Sequence, residues 1–405
     1  MAVGLVAPTS LMPIAGCRLA AVEAGIRYKN RKDLVVVAFD EGTETAAVFT
    51  QNAFCAAPVV VAKQHLLKNT PRALLVNSGN ANCGTGQRGM DDATASCAAL
   101  ADALGCDSSE VLPFSTGVIG EYLPIDKFPN AVKQATGQLA STNWLEAAHA
   151  IMTTDTVAKG LSKQIATPGG FVTITGIAKG SGMIRPDMAT MLSYIATDAA
   201  VGQSDLQALL SSATEVSFNA VTVDGDTSTN DACTLSATGA SRIKLGSLLP
   251  YWAEFSEAVT EICLFLAQAL IRDGEGASKF VTVNVVNAQS TAQAKSIAYT
   301  VAHSPLVKTA LFASDPNWGR LLAAIGRAPV EATLDVSKID ICLDDVKIVS
   351  SGERESGYLE SAGQAVMDQD EISINISIGV GAAKTTVWTS DLSHDYVTIN
   401  ADYRS

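Results

Sequence analysis

Short apolar runs recur along the chain, and they predict buried strands. The clearest cover residues 34–39, 171–178 and 191–197, and residues 46–50 are expected to form a strand beside 34–39. Residues 396–405 alternate between apolar and polar positions, which predicts a strand at the end of the chain. Further strands are predicted at 72–76, 279–286, 339–348, 371–378 and 384–389, and residues 111–120 are expected to run from a strand into a loop.

Helical patterns fill most of the intervals between these strands. Ser204 is expected to cap one helix, and Asp315 another with Pro316 at its first position. Residues 164–170 are expected to be a surface connection. Strand and helix alternate without a break in composition, so the fold class is α/β or α+β. The predicted helices cover 91–104, 125–139, 143–152, 204–216, 248–271 and 291–302.

The segment from Lys179 to Leu192 interrupts this alternation near the middle of the chain. Gly180, Gly182 and Pro186 make it a poor helix or central strand. We therefore expect a constrained loop that delivers Ala189 and Thr190 to the start of a buried strand.

Thr190 is a candidate nucleophile. A threonine hydroxyl is weak unless a base takes its proton. If the bond between Ala189 and Thr190 were cut, the new α-amino group of Thr190 could serve as that base. An isolated Ala-Thr pair is ordinarily only the start of a strand, so other motifs must support this interpretation.

Composition excludes several classes of protein. Hydrophobic residues make up 47% of the 405 residues and charged residues 17%, which is typical of a globular protein with a large core. The formal charge of −13 argues against general affinity for nucleic acid. The most apolar helical run, 258–271, contains Glu261 and is too short to span a membrane.

Cysteines and histidines lack the spacing of a metal site. The eight cysteines include no CxxC pair, and the four histidines are isolated. Dispersed cysteines in an apolar chain are usually reduced and buried, which fits the cytosol. Residues 14–17 look like a lipoprotein cleavage box, but no basic residue precedes them, so we interpret them as ordinary structure.

Two further motifs suggest other functions weakly. Gly84, Gly86 and Gly89 match G-x-G-x-x-G of dinucleotide-binding proteins, but seven residues separate the first glycine from the predicted strand. Asp224, Asp226 and Asn230 suggest a metal loop without the EF-hand spacing.

The Thr116-Gly117 step could aim donors at an oxyanion, although a simple turn is the ordinary interpretation.

Taken together, the motifs resemble the ornithine acetyltransferase (glutamate N-acetyltransferase) family over nearly the whole chain. The resemblance implies layered sheets between helices, similar to amino-terminal-nucleophile enzymes but with the family's own topology. The matching segments, in order, are 77–82, 115–120, 153–156, 179–192, 222–231, 273–279, 315–320 and 396–405.

The resemblance also implies a reaction. The chain would cut itself into an α fragment, 1–189, and a β fragment, 190–405, which stay associated as a heterotetramer. The acetyl group of N-acetylornithine would pass to Thr190 and then to glutamate, without a cofactor, in the cytoplasm. Acetyl-CoA as a second donor is left open.

The site residues follow from the same resemblance. Thr116 and Gly117 would hold the oxyanion beside Thr190, while the family pattern places the following residues at the substrate: Thr153, Lys179, Glu275, Asn400 and Ser405. Matching charges suggests Lys179 for an α-carboxylate and Glu275 for the ornithine ammonium. A self-cleaving hydrolase or aminopeptidase would use the same groups, and a non-catalytic binding protein would leave the chain uncut.

Overall fold

A computed structural model describes residues 2–185, 191–331 and 334–402. Within these residues, no helix is both long and apolar enough to cross a membrane. The strands of the first half are β1 (Cys17–Val22), β2 (Leu34–Phe39), β3 (Glu44–Phe49), β4 (Ala73–Asn80), β5 (Val111–Val118), β6 (Lys159–Thr167), β7 (Gly170–Lys179) and β8 (Leu192–Thr197). Those of the second half are β9 (Ala200–Val201), β10 (Ala232–Ala237), β11 (Lys244–Leu245), β12 (Phe280–Ala288), β13 (Asp340–Leu343), β14 (Val346–Ser350), β15 (Glu353–Arg354), β16 (Glu371–Ser377) and β17 (Ala383–Ser390).

The α-helices lie between these strands. They are α1 (Ala57–Lys68), α2 (Gly86–Leu104), α3 (Phe128–Thr136), α4 (Trp144–Ala150), α5 (Gln203–Val216), α6 (Trp252–Arg272), α7 (Thr291–Ala302), α8 (Pro305–Phe312), α9 (Trp318–Gly326), α10 (Glu360–Met367) and α11 (His394–Ala401).

The chain forms two compact units. The larger unit comprises Val6–Asn219 and Asp226–Leu270. The smaller unit comprises Met1–Leu5, Ala220–Gly225 and Ile271–Ser405.

Two sheets lie face to face in the larger unit. One has the strand order β1-β2-β4-β5 and the other β3-β10-β8-β7-β6. Alternate residues of β2 serve different cores: Val35 and Val37 pack with Tyr194 of β8 between the sheets, whereas Val36 packs with Leu100 of α2. A strand buried on both faces becomes continuously apolar, which is why residues 34–39 were recognisable from sequence.

The outer face of the second sheet is covered by α6. A Cβ on Gly176 of β7 would come within 2.8 Å of Ile262 and 3.2 Å of Leu266, so the glycine allows this helix to pack closely. Helices, two sheets and helices therefore form successive layers, and this confirms the fold class predicted from sequence.

The smaller unit is built on one mixed sheet with the order β15-β14-β13-β16-β12-β17. Val283, Ile374 and Val387 belong to a core that also includes residues of helices α7 to α10. Neighbouring positions carry polar groups, as where Asn284 Nδ2 donates to Asn375 Oδ1 at 2.9 Å. Apolar and polar residues alternate along these strands because one face of the sheet is more buried than the other.

Three predictions about the pairing and extent of strands were wrong. Residues 46–50 do not neighbour 34–39, because β3 pairs with β10 and β2 pairs with β1 and β4. Residues 164–170 are not a surface connection, since β6 runs to Thr167 and pairs with β7. The predicted strand 339–348 is a hairpin of β13 and β14, with Asp344 at a φ of 46°.

The chain end was also predicted wrongly. Residues 394–401 form helix α11 rather than a strand, because Ser393 caps it by accepting a hydrogen bond from the Tyr396 amide. Gly202 caps α5 in place of Ser204, and Asn317 caps α9 in place of Asp315.

A buried ion pair joins the turn after α4 to the start of β6. Lys159 Nζ donates to Asp155 Oδ1 at 2.7 Å, and both side chains have 0% exposure. The Gly180 amide donates to the same oxygen at 2.7 Å. Burial alone would raise the pKa of Asp155, but the charges of Lys159 and Lys179 and the Gly180 hydrogen bond hold that pKa well below its usual range.

We predict that Asp155→Asn lowers the free energy of unfolding at neutral pH by about 3–5 kcal/mol, because Lys159 loses the charge that compensates its burial. The exposed pair Arg18–Asp40 gives a matched control, and Asp40→Asn should cost less than about 1 kcal/mol. Urea denaturation measures both.

The loss of stability caused by Asp155→Asn should also depend on pH. Because the folded pKa of Asp155 is lowered, its contribution is complete above the ordinary value of 3.8 and is lost as the pH falls through the folded pKa. Equal losses for Asp155→Asn and Asp40→Asn would contradict a stabilising role for the buried pair.

Candidate active site

The two strands that flank the central segment pair with each other. Strand β7 ends at Lys179 and β8 begins at Leu192, and these two residues are partners in the antiparallel ladder. Ala189 and Thr190 lie outside the described residues. The residue that follows them, Met191, is buried.

Lys179 contacts the predicted oxyanion residue Thr116 from the facing sheet. Its Nζ atom donates to Thr116 Oγ1 at 3.1 Å, and both residues are buried. Since the hydroxyl accepts from an ammonium group, its own hydrogen can point to a different acceptor. This arrangement suits a donor to developing negative charge.

Gly117 follows Thr116 where only glycine fits. Its φ is 133°, and a Cβ there would lie 2.2 Å from the Gly79 carbonyl carbon and 2.5 Å from the Asn80 nitrogen. The backbones of β4 and β5 therefore approach closely at an irregularity in their ladder. The Thr-Gly step is part of a tightly packed strand end rather than a free turn.

In the described part of the chain, Lys179 belongs to a group of buried ionisable side chains. Asp155 faces two lysines, Lys159 and Lys179. Asp231 offsets them less than an ordinary carboxylate would, because burial raises the pKa of its carboxyl well above the ordinary value, although the Ser228 side chain, the Met191 amide and the charge of Lys179 oppose the shift. The positive charges of the two lysines favour the binding of an anion at this site.

Thr153 lies in the turn that carries Asp155. Its amide donates to Asp155 Oδ2 at 3.0 Å, and the residue is half-buried. The neighbouring Thr154 hydroxyl bonds with the Ser181 hydroxyl at 2.7 Å. This turn is thus tied to the residues that follow Lys179.

In the smaller unit, Glu275 and Asn400 come together. Asn400 Nδ2 donates to Glu275 Oε2 at 2.9 Å, and Glu275 is buried whereas Asn400 is exposed. Gly276 has a φ of 67°, and a Cβ there would lie 2.4 Å from the Tyr396 nitrogen. The glutamate thus sits in a turn packed against α11, and Ser405 lies outside the described residues.

The motifs of the rival interpretations have structural explanations. A Cβ on Gly89 would lie 1.9 Å from Thr85 Oγ1, so this glycine serves the packing of α2. Asn230 Nδ2 donates to the carbonyls of Ala81 and Ser115 at 2.7 and 2.9 Å, which ties two loops together.

Sequence reasoning missed three buried groups in the larger unit: Asp155, Lys159 and Asp231. The first two are four residues apart in an otherwise apolar and hydroxyl-rich stretch, a spacing that could have suggested a pair. Asp231 carried no such signal, because its contact with Met191 spans 40 positions of sequence.

Comparison with known proteins identifies the family. The ArgJ family model matches residues 18–405. Arginine biosynthesis bifunctional proteins ArgJ from Pseudomonas fluorescens and Pseudomonas syringae pv. tomato are each 53% identical over 100% of both chains. A crystal structure of arginine biosynthesis bifunctional protein ArgJ from Bacillus halodurans matches with a TM-score of 0.50 and 38% identity, covering 52% of this chain and 99% of that one.

These matches confirm the resemblance drawn from the motifs, which lies within the matched length. They also support an enzyme over the non-catalytic alternative, since both relatives are named arginine biosynthesis bifunctional proteins. The chain therefore belongs to the ArgJ family and is an acyltransferase of arginine biosynthesis.

Proposed function

We propose that this chain transfers the acetyl group of N-acetylornithine to glutamate through an acetyl ester on Thr190. The observation that carries the proposal is the contact of Lys179 with Thr116, at the ladder position where β7 meets the start of β8. That position is two residues from Thr190. A buried cation that contacts a candidate oxyanion donor therefore lies at the strand end from which the segment with the candidate nucleophile begins.

Self-cleavage comes first. The Thr190 hydroxyl attacks the Ala189 carbonyl and water hydrolyses the resulting ester, which leaves a carboxylate on Ala189 and an α-amine on Thr190. The Bacillus halodurans chain supports this step. It is matched over 99% of its length yet corresponds to 52% of this chain, as expected of one separated fragment.

Acetyl transfer to the enzyme then follows. The Thr190 amine takes the hydroxyl proton while Oγ attacks the acetyl carbonyl. Thr116 and the Gly117 backbone stabilise the oxyanion, and the buried ammonium group of Lys179, which donates to Thr116, favours the same state. The C–N bond breaks, the leaving amine of ornithine takes the proton, and the acetyl group remains on Oγ.

Glutamate completes the cycle. Its α-amine attacks the ester carbonyl and releases N-acetylglutamate and free Thr190. Lys179 binds an α-carboxylate, and Glu275 binds the ornithine side-chain ammonium. Thr153, Asn400 and Ser405 line the substrate site. The cycle needs no cofactor, because Thr190 supplies both nucleophile and base.

The assembly and setting belong to the same proposal. The α fragment, 1–189, and the β fragment, 190–405, remain together as a heterotetramer in the cytoplasm. The relatives are named bifunctional, so acetyl-CoA is the second donor to assay. Glutamate-dependent release of acetyl from N-acetylornithine supports the transferase, whereas release to water at the same rate without glutamate would indicate the hydrolase.

Thr190→Ala should leave a single uncut chain without acetyltransferase activity, because the variant lacks the attacking hydroxyl. Thr190→Ser keeps the hydroxyl and should still be cut. Intact-mass measurement distinguishes the two states. Cleavage of the alanine variant between residues 189 and 190 would remove Thr190 from the mechanism.

Glu275→Gln should lower kcat/KM for N-acetylornithine far more than for N-acetylnorvaline, which lacks the ammonium group. A hydrogen bond to a charged group is worth about 1.5–3 kcal/mol, so the ratio of the two kcat/KM values should change by about tenfold or more. Glutamine can still accept from Asn400, which preserves the local contact.

Glu353, an exposed glutamate of the same unit, provides the control. Glu353→Gln should leave both kcat/KM values unchanged. If Glu275→Gln reduces both donors equally, Glu275 supports the fold of its turn and does not select the substrate.

A further inference from the structure

Asp231 holds the residue that follows Thr190. Its Oδ1 atom accepts a hydrogen bond from the Met191 amide at 3.0 Å. The next amide along, that of Ala232, donates to the Met191 carbonyl at 3.1 Å. Both backbone groups of Met191 are therefore fixed by the start of β10.

The carboxyl makes this contact at an energetic cost. Asp231 has 1% exposure, and its Oδ2 atom has no hydrogen-bond partner within the part of the chain that the structure describes. Buried polar atoms are nearly always paired, so an unpaired one calls for an explanation. Packing alone does not require a carboxyl here.

Peptide planarity connects this contact to the nucleophile. Met191 is bonded to Thr190, and the six atoms of that peptide unit, including the Thr190 Cα, lie close to one plane. A hydrogen bond to the Met191 N–H therefore restrains the plane to which that Cα belongs. The same carbon carries the side chain with its hydroxyl and, after cleavage, the α-amine.

We infer that Asp231 is a positioning residue that orients Thr190 through the Met191 amide, both for self-cleavage and for acetyl transfer. The inference rests on the proposed role of Thr190. The bond to Met191 can serve both reactions, since cutting between 189 and 190 leaves the Thr190–Met191 peptide intact.

The protonation of Asp231 is compatible with this role. Burial raises the pKa of its carboxyl well above the ordinary value. A carboxyl with a raised pKa carries less of the negative charge that would hold the Thr190 amine in its protonated form. An ionised one would oppose the use of that amine as a base.

Asp198 provides a matched control at the other end of β8. Its Oδ1 atom accepts from the Thr173 amide at 2.9 Å, the residue is buried, and burial raises the pKa of its carboxyl too. It therefore makes the same kind of bond in the same sheet, without a covalent link to Thr190.

The test compares leucine and asparagine at both positions. Leucine has nearly the shape of aspartate but cannot accept a hydrogen bond, whereas the asparagine oxygen can. Asp231→Leu should slow precursor cleavage and lower kcat per cleaved chain by about 10²-fold, the cost of a small misplacement, with little change in KM for N-acetylornithine. Asp231→Asn should restore most of both rates.

Asp198→Leu should lower the unfolding midpoint as much as Asp231→Leu does, but it should keep kcat. Unchanged rates in Asp231→Leu would overturn the inference. So would equal losses of kcat in both leucine variants, or an asparagine variant of Asp231 as slow as the leucine one. If Asp231→Leu does not fold, Asp231→Ala, which admits water to the Met191 amide, takes its place.

Thr190→Ala separates the two hypotheses. An alanine variant that is still cut or still active refutes the proposed function itself. A Thr190→Ala chain that is uncut and inactive, together with normal rates in Asp231→Leu, refutes only the positioning role.

Discussion

The antiparallel pairing of β7 with β8 is the constraint on which the rest of the candidate site depends. Because Lys179 and Leu192 are ladder partners, the segment between them must leave and re-enter the sheet at one point. The segment is therefore closed at its base by backbone hydrogen bonds. Whatever chemistry occurs at Thr190 takes place one residue from the buried Met191.

Several buried ionisable groups lie around that point and contact neighbouring polar groups. Asp155 bonds Lys159 and the Gly180 amide, and Lys179 reaches Thr116 on the facing sheet. Burial raises the pKa of Asp231, so its carboxyl offsets the positive charge less than an ordinary carboxylate would. Moving a charge into a core is costly, and such a cluster is more readily explained by function than by stability.

Much of the secondary structure could be predicted because its causes are local. Residues 34–39 are apolar throughout since the strand is buried on both faces, and 291–302 form a helix behind the side-chain cap of Ser290. The prediction for the chain end was wrong because the alternation of apolar and polar residues in 396–401 outweighed the signal of the Ser393 cap. The pairing of β3 with β10 joins residues that are distant in sequence, since Glu44 and Ala237 are 193 positions apart, and no local pattern encodes it.

The candidate site likewise combines residues whose roles the sequence indicated with a residue whose role only the fold reveals. Thr116, Lys179 and Glu275 were accessible because they lie in motifs that resemble a known family. Asp231 also lies in a matching segment, 222–231, but its importance arises from a contact with Met191 that only the folded sheet creates. Its loop, rich in hydroxyl and acidic residues, looks like an ordinary polar turn in sequence.

The central claim is that Thr190 carries the acetyl group. The most direct measurement incubates the purified enzyme with N-acetylornithine alone, quenches it in acid and determines fragment masses. The account predicts that the fragment beginning at Thr190 gains one acetyl group on its first residue, and that glutamate removes it with formation of N-acetylglutamate. A fragment that is never acetylated, or an acetyl group that persists after glutamate is added, would contradict the account.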